Sequence, residues 1–233
     1  MRWLKTAFSD TLHLFYPHVC TGCGSDLLQE DHLLCLRCLT NLPHTNFARH
    51  INNPIEKIFW GRIPVAAAHS EFYFAKESLI QHLIHQLKYK GNQEIAVYLG
   101  ELMGRSLLES SRFNKIDYLV PLPLYPDKER KRGYNQAAVI CQGMSAIMNV
   151  PVLSDKVIRQ RFTETQTKKH RSERWENVAG SFILKDKQKL QGTNVLLVDD
   201  VITTGATLEA CGHSIIEAVD VKLSVATLAT ATK

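Results

Sequence analysis

The stretch VLLVDDVITTGATLEA, residues 195–210, decides the fold of this 233-residue chain. It begins with four apolar residues, 195–198, which predict a strand buried on both faces of a sheet. Two aspartates, Asp199 and Asp200, follow where the apolar run stops, and a threonine-rich turn at 203–207 precedes a predicted helix. A buried strand that leads through a polar turn into a helix is the repeating unit of α/β proteins, whose ligands collect at the carboxyl ends of the strands. The turn is therefore the first place to look for a binding site.

The turn has the composition of a phosphate-binding site. Backbone N–H groups and the positive end of the helix dipole meet where a strand passes into a helix, and small residues let a phosphate approach the backbone. The residues that would surround a phosphate are Thr203, Thr204, Gly205, Ala206 and Thr207. Asp199 and Asp200 would repel a phosphate, but their carboxylates accept hydrogen bonds from sugar hydroxyls and can bind magnesium. One ligand, a ribose 5-phosphate, satisfies both parts of the motif.

Strands and helices alternate along the rest of the chain. Residues 136–148 have the apolar spacing of a helix, and residues 207–218 form the helix after the turn. Residues 76–108 predict two helices separated by a break at 88–91. Further strands are predicted at 118–124, 150–153, 178–184 and 221–228. This order predicts a mainly parallel sheet covered by helices.

Four cysteines near the start form two Cys-x-x-Cys pairs that are separated by eleven residues. Two such pairs supply the four sulfur ligands that structural zinc prefers. The predicted ligands are Cys20, Cys23, Cys35 and Cys38. Two disulfides are an alternative, which needs an oxidising compartment, and a redox-active pair is another, for which one pair would suffice. A zinc ion with four protein ligands has no open position, so the predicted site is structural and not catalytic.

The composition indicates a globular protein, and its positive charge suggests anionic partners, although a charge of this size is also common on proteins that bind no polyanion. Hydrophobic residues make up 45% of the chain and charged residues 22%, which excludes a disordered or fibrous protein. The net charge is +5, and residues 156–174 hold seven Lys or Arg against two Glu. Clustered Lys and Arg of this kind can bind a nucleic-acid backbone.

The sequence shows no membrane-spanning or export signal. No run of eighteen apolar residues occurs, and the start lacks a long apolar core followed by a small-residue cleavage site. We therefore expect a cytoplasmic protein without membrane insertion. Apolar residues recur at helical spacing in residues 3–16, which predicts a short amphipathic helix packed on the body rather than a membrane anchor.

Residues 195–208 closely resemble the phosphoribosyl pyrophosphate (PRPP) binding motif of type I phosphoribosyltransferases, which consists of four apolar residues, two acidic residues and a Thr-Gly phosphate turn. Other segments resemble the ComF family, whose members join a four-cysteine zinc segment to a phosphoribosyltransferase-like domain. These segments are 86–91, 120–124, 130–136 and 161–177. The resemblance covers nearly the whole chain in the same order. It implies the type I phosphoribosyltransferase fold, an α/β fold with a mainly parallel sheet, after a small N-terminal zinc-binding segment.

The resemblance also implies roles for particular residues. Asp199 and Asp200 would hold the ribose hydroxyls, and residues 203–207 would hold the 5-phosphate. The loop 122–135 would bind pyrophosphate, or would be a solvated basic loop. Its site residues are Arg130, Lys131, Arg132, Gly133 and Asn135. The segment 160–177 would be a mobile loop that closes over PRPP. Its catalytic candidates are Arg161, Lys168, Lys169 and Arg171.

Three regions are expected along the chain. Residues 1–50 would hold the N-terminal helix and the four-cysteine zinc-finger segment. Residues 51–115 would form a helical connector and the hood over the acceptor, to which Lys88, Tyr89 and Lys90 would belong. Residues 116–233 would form the phosphoribosyltransferase core.

The resemblance implies ligands, cofactors and partners. The ligand would be PRPP or a ribose 5-phosphate nucleotide, bound with magnesium, and the other cofactor would be structural zinc. The implied role is natural competence, the uptake of single-stranded DNA at the cytoplasmic face, with single-stranded DNA and a competence helicase as partners. Two alternatives stay open: an active base-salvage or amido-type phosphoribosyltransferase of nucleotide metabolism, and a non-catalytic nucleotide sensor that binds DNA or a helicase.

Overall fold

The computed structural model describes residues 19–26, 28, 32–160 and 181–231. Its strands are β1 (Ala67–Phe74), β2 (Tyr118–Pro121), β3 (Val157–Arg159), β4 (Phe182–Leu184), β5 (Asn194–Ile202) and β6 (Lys222–Ala231). Within the described ranges, four strands form a central sheet in the order β1-β6-β5-β2, and all of its pairs are parallel. Strands β3 and β4 pair with each other in an antiparallel ribbon. The predicted mainly parallel sheet is therefore confirmed.

Helices cover both faces of the central sheet. They are α1 (Leu36–Thr40), α2 (Pro54–Phe59), α3 (Leu79–Tyr89), α4 (Gln93–Leu108), α5 (Pro126–Arg132), α6 (Gln136–Met148), α7 (Lys187–Leu190) and α8 (Ala206–Ile215), with a 3-10 turn at Phe47–Arg49. Helices α3, α4 and α6 pack on one face, and α2, α7 and α8 pack on the other. No helix within the described ranges is long and apolar enough to cross a membrane.

Strand β5 is apolar at every position from 195 to 198 because both of its faces are buried. Val195 and Leu197 belong to the core under α2 and α8, whereas Leu196 and Val198 belong to the core under α4 and α6. Val198 lies opposite the last residue of β2, so β2 and β5 reach the same edge of the sheet. The residues that follow these two strands are therefore neighbours.

Three segments differ from the prediction. Residues 51–115 contain α2 and strand β1 in addition to the two predicted helices, so the sheet begins before residue 116. Residues 150–153 form a single bridge with β2 rather than a strand. The predicted basic loop at 122–135 contains helix α5, because proline occupies the first turn, acidic residues follow it and basic residues fill the last turn.

Strand β1 was not predicted from the sequence because polar residues occupy its buried middle. Glu71 is only 2% exposed and lies between two imidazoles, with its carboxylate oxygens 2.7 Å from Nδ1 of His44 and 2.8 Å from Nε2 of His69. Burial raises the pKa of Glu71, but the hydrogen bonds to both histidines outweigh it and lower the pKa to about 2. The N–H of Thr45 donates to the Glu71 carbonyl, and the N–H of Tyr73 donates to the Pro43 carbonyl. The chain before α2 thus covers the outer edge of β1.

Helices α4 and α6 touch through glycines. A Cβ on Gly100 would lie 2.2 Å from the carbonyl oxygen of Ile140, and a Cβ on Gly143 would lie 2.0 Å from the carbonyl oxygen of Val97. Real Cβ atoms do not approach backbone oxygens this closely. The two helix backbones are therefore in direct contact, which only glycine permits.

Candidate functional site

The two aspartates lie where β5 passes beyond the end of β2. Asp200 is 8% exposed and Asp199 is half-buried. The backbone N–H of Asp200 donates a 2.8 Å hydrogen bond to Oδ1 of Asp199, which fixes the orientation of that carboxylate. The structure therefore brings both predicted carboxylates to one edge of the sheet.

Two cations from other parts of the chain lie close to the aspartate pair. Nζ of Lys88, near the end of α3, is 2.9 Å from Oδ2 of Asp200. The pKa of Asp199 lies well above its usual range. Burial and the neighbouring charge of Asp200 raise it, and the hydrogen bond from the Asp200 N–H and the charges of Lys88 and Arg159 offset only part of this rise. The pair thus favours an extra proton or a bound cation at neutral pH, and the ammonium group of Lys88 supplies part of that positive charge.

Arg159, at the end of β3, is the second cation. Its guanidinium carbon lies 3.9 Å from the ring centroid of Tyr125 and 4.9 Å from that of Phe182. Its Nε is buried and has no hydrogen-bond partner among the residues that the structure describes. The guanidinium is thus held by aromatic faces, and its charge acts on the aspartates by lowering the pKa of Asp199.

The predicted phosphate turn connects β5 to α8 as expected. Gly205 has a φ of 74°, and a Cβ there would lie 2.6 Å from Cγ2 of Ile58 in α2, so the turn needs glycine for both conformation and packing. The Ala206 N–H lies 3.5 Å from Oγ1 of Thr204. Helix α8 begins at Ala206, and the first N–H groups of a helix point out of its N-terminus toward the preceding turn. The turn, Thr203 to Thr207, therefore has the glycine conformation and the helix start that the predicted phosphate site requires.

The predicted pyrophosphate residues fall into two groups. Gly133, with a φ of 84°, ends α5, and Asn135 accepts a hydrogen bond from the Ala137 N–H at 3.0 Å as the cap of α6. These two residues determine the backbone conformation between α5 and α6. Arg130, Lys131 and Arg132 lie in the last turn of α5, a helix with no buried residue. Arg130 donates a hydrogen bond to Asp127, and Arg132 donates one to Gln136.

The predicted catalytic residues Arg161, Lys168, Lys169 and Arg171 lie outside the described residues. The structure does describe the two ends of their segment. The N–H of Gln160 donates to the carbonyl of Ser181 at 2.8 Å, and β3 pairs with β4 on either side. Both ends are thus held together near Arg159. The predicted N-terminal helix also lies outside the described residues.

Lys88 and Arg159 were not predicted as site residues. Lys88 was expected in the hood, and its direct contact with Asp200 depends on how α3 packs against the sheet. Arg159 was counted only as part of the basic segment 156–174. The one sequence signal for it was its position directly after the two apolar residues Val157 and Ile158. Neither role follows from local spacing, because both contacts join distant parts of the chain.

The four cysteines form one cluster. Their Sγ atoms all lie within 4.8 Å of one another, and Cys23 and Cys35 are 3.7 Å apart. A tetrahedral zinc site with Zn–S bonds of about 2.3 Å places its sulfurs about 3.8 Å apart, so the cluster is compatible with zinc. Burial raises the pKa of the Cys20 thiol, but N–H groups of Cys35, Cys23 and Gly22 lower it to about 6. Burial and the neighbouring sulfurs raise the pKa of Cys38 well above its usual range.

Comparison with known proteins agrees with this geometry. The phosphoribosyl transferase domain family matches residues 127–233. DNA utilization protein YhgH of Escherichia coli K12 is 30% identical over 193 residues, which cover 82% of this chain and 74% of that protein. Competence protein F of Haemophilus influenzae is 28% identical over 84% of this chain and 83% of its own length. Competence protein ComFC of Bacillus subtilis is 24% identical over 86% of this chain and 72% of its own length.

These relatives match most of the chain, and the matched domain contains the Asp199–Asp200 pair and the phosphate turn. The fold is that of a type I phosphoribosyltransferase, with a parallel sheet flanked by helices and a four-cysteine segment before it. The chain therefore belongs to the ComF family, together with competence protein F, ComFC and DNA utilization protein YhgH.

Proposed function

We propose that this protein binds Mg-PRPP, or a nucleotide with a ribose 5-phosphate, at the edge of the sheet where β5 meets α8. The observation that carries the proposal is that two carboxylates near the end of β5 are followed directly by a glycine-containing turn and the first residues of α8. The carboxylates and the turn are only a few residues apart in the chain. Asp200 is buried, and Gly205 of the turn packs against Ile58 of α2. A sugar phosphate presents hydroxyls at one end and a dianion at the other, which matches this arrangement.

Asp199 and Asp200 would accept hydrogen bonds from the ribose hydroxyls, and the residues 203–207 would hold the 5-phosphate through N–H groups and hydroxyls. Magnesium fits beside the same carboxylates, because oxygen ligands are those it prefers and the pair favours a bound cation. Magnesium would neutralise part of the diphosphate charge when bound. The protein's own residues would orient the sugar and hold the phosphate in place.

The cations around the site suit the departure of pyrophosphate. Arg159 and Lys88 lie beside the aspartates, and the basic residues Arg130, Lys131 and Arg132 follow β2 on the same edge. In the proposed transfer, the bond between C1 of the ribose and the pyrophosphate oxygen breaks while the acceptor bonds to C1, and the electron pair leaves with pyrophosphate. Arg161, Lys168, Lys169 and Arg171 would stabilise that charge when their segment closes over PRPP.

The expected result of removing one carboxylate is a loss of Mg-PRPP affinity. Hydrogen bonds to charged groups contribute about 1.5–3 kcal/mol, so Asp200→Asn should weaken binding roughly 10- to 150-fold in a calorimetric titration. Asp199→Asn should act in the same direction. Asp220→Asn is the matched control, because Asp220 is exposed and lies before β6, at the opposite edge of the sheet.

Two outcomes would count against this function. Wild-type protein with no measurable affinity for Mg-PRPP contradicts it directly. Equal affinities for Asp200→Asn and the control would mean that the carboxylate does not contact the ligand. If Mg-PRPP binds but no acceptor releases pyrophosphate, the non-catalytic alternative, a nucleotide sensor that binds DNA or a helicase, gains support over the transferase.

A second function, binding of single-stranded DNA in the cytoplasm during competence, is favoured by an aromatic and basic surface beside the site. Tyr89 is 70% exposed, its ring lies 4.9 Å from that of His85, and the Arg132 guanidinium lies 6.0 Å from its centroid. Exposed aromatic rings stack on bases, and Arg and Lys contact the phosphate backbone. The names of two relatives, DNA utilization protein and competence protein, agree with such a ligand.

Replacing Tyr89 tests this surface. Base stacking contributes about 1–3 kcal/mol, so Tyr89→Ala should weaken binding to an oligothymidine strand roughly 5- to 150-fold, measured by fluorescence anisotropy at fixed salt. Trp60→Ala is the control, because Trp60 is 57% exposed but directly follows α2, which packs on the opposite face of the sheet from the α3 helix that carries Tyr89. Unchanged affinity in Tyr89→Ala, or affinity independent of salt concentration, would rule this surface out.

The four-cysteine cluster completes the proposal. We expect it to hold a structural zinc ion that keeps the segment between Val19 and Leu42 folded against α3. No disulfide joins the four cysteines in the structure, so all four sulfurs can bind zinc as thiolates.

A further inference from the structure

Arg62 connects the turn after α2 to the phosphate turn. Its Nη1 donates to the carbonyl of Thr204 at 2.9 Å and to the carbonyl of Ile58 at 3.0 Å, and its Nη2 pairs with Glu209. Arg62 lies 65 residues before the domain matched by the phosphoribosyl transferase family, which begins at residue 127. The phosphate turn is therefore held by a residue from outside that domain.

The contact with Thr204 orients a donor at the proposed phosphate site. The Thr204 carbonyl and the Gly205 N–H belong to one trans peptide, so they point in opposite directions. Because Arg62 holds the carbonyl on its own side, the Gly205 N–H points to the other side of the turn. A peptide flip would instead present a carbonyl oxygen to the phosphate, which repels it.

The pairing with Glu209 removes an unfavourable charge. Glu209 lies in the first turn of α8, and its side chain is 7% exposed. An anion near the N-terminus of a helix is stabilised by the dipole, but a buried carboxylate in the same turn would oppose a second anion there. The guanidinium of Arg62 neutralises that carboxylate without approaching the ligand's side of the turn.

We infer that Arg62 is a positioning residue for 5-phosphate binding, which acts by fixing the Thr204 carbonyl and by neutralising Glu209. This inference rests on the proposed binding of Mg-PRPP. It assigns the segment after α2, which lies outside the matched domain, a part in the site.

Three variants separate the two effects of Arg62. Arg62→Gln should weaken Mg-PRPP and ribose 5-phosphate at least 10-fold in calorimetric titrations, while Mg-pyrophosphate, which lacks the 5-phosphate, should bind within twofold of wild type. Glu209→Gln keeps Arg62 and removes the carboxylate, so it should bind Mg-PRPP at least as tightly as wild type. The double variant Arg62→Gln/Glu209→Gln should recover part of the lost affinity. Arg49→Gln is the matched control, because Arg49 and Glu109 form an ion pair at an exposed position.

The outcomes distinguish this inference from the function on which it rests. Wild-type protein that binds no Mg-PRPP overturns both. Wild-type binding with unchanged affinity in Arg62→Gln overturns the inference alone, and so does an equal loss of Mg-pyrophosphate, which would indicate general loss of structure. If Arg62→Gln does not fold, Glu209→Gln decides: a weaker affinity for ribose 5-phosphate contradicts the inference, and an equal or tighter one supports it.

Discussion

Replacing Gly143 with alanine is expected to destabilise the fold by about 3 kcal/mol, at the upper end of overpacking costs. The added Cβ would lie 2.0 Å from the carbonyl oxygen of Val97 and 3.0 Å from the backbone nitrogen of Glu101, so no side-chain rotation can relieve the clash. Helix α4 would have to move away from α6, and the buried contacts between the two helices would open. For a chain of this length such a loss corresponds to a decrease in Tm of about 6–12 °C.

Urea denaturation followed by circular dichroism measures this effect, and two other glycines of the same interface provide the comparison. Gly100→Ala should cost nearly as much, because its Cβ would lie 2.2 Å from the Ile140 oxygen. Gly104→Ala is the matched control, since its nearest contacts are at 3.3 Å and alanine favours helix by about 1 kcal/mol. Equal stabilities for the Gly143 and Gly104 variants would mean that the helices are not in backbone contact.

Loss of metal from the four-cysteine cluster is expected to unfold the segment that contains it. Zinc binding to small four-ligand sites supplies about 10–16 kcal/mol of apparent free energy, which is also the folding free energy of such segments. Cys38→Ser, or treatment with a strong chelator, should abolish the bound zinc. It should also remove hydrogen-exchange protection from residues 32–42, while the central sheet stays protected. Elemental analysis and exchange mass spectrometry measure these two quantities.

The effect should extend into α3. Gly22 packs so closely that an added Cβ would lie 2.8 Å from Cδ1 of Leu79, the first residue of that helix, and the other end of α3 carries Lys88. Cys141→Ala is the matched control, because Cys141 is a fully buried thiol outside the cluster, so zinc content should stay unchanged. Two disulfides found by mass spectrometry in freshly prepared protein would contradict the zinc site.

The sequence predicted the elements whose signal is local. Strand β5, the turn and α8 follow from an apolar run, small polar residues and helical spacing, and α6 has the predicted bounds. Strand β5 is buried on both faces, so packing and hydrophobicity indicate the same structure. The four cysteines were predicted from spacing alone, because two Cys-x-x-Cys turns bring their sulfurs together with little help from the rest of the chain.

The rest depends on distant contacts. Strand β1 carries His69, Ser70 and Glu71 in its buried part, and a polar run of this kind gives no strand signal. Its burial becomes possible only because His44, from another segment, completes the hydrogen bonds of Glu71. Lys88 and Arg159 approach the aspartates through the packing of α3 and β3. Sequence spacing along one element cannot report such contacts.

The position of β1 also limits which fragments of this chain can fold on their own. A fragment that began at residue 116 would keep the aspartates and the phosphate turn, but it would lack the neighbour of β6 in the sheet. Strand β6 would then present a long row of unpaired backbone groups, flanked by the buried residues 223–230, to any other chain in solution. Edge-to-edge aggregation is the expected fate of such a fragment. A fragment intended to fold on its own must therefore start before residue 42, so that it keeps β1 and the segment covering the edge of β1 together with the aspartates and the phosphate turn. Gene fusions that keep both segments should remain soluble.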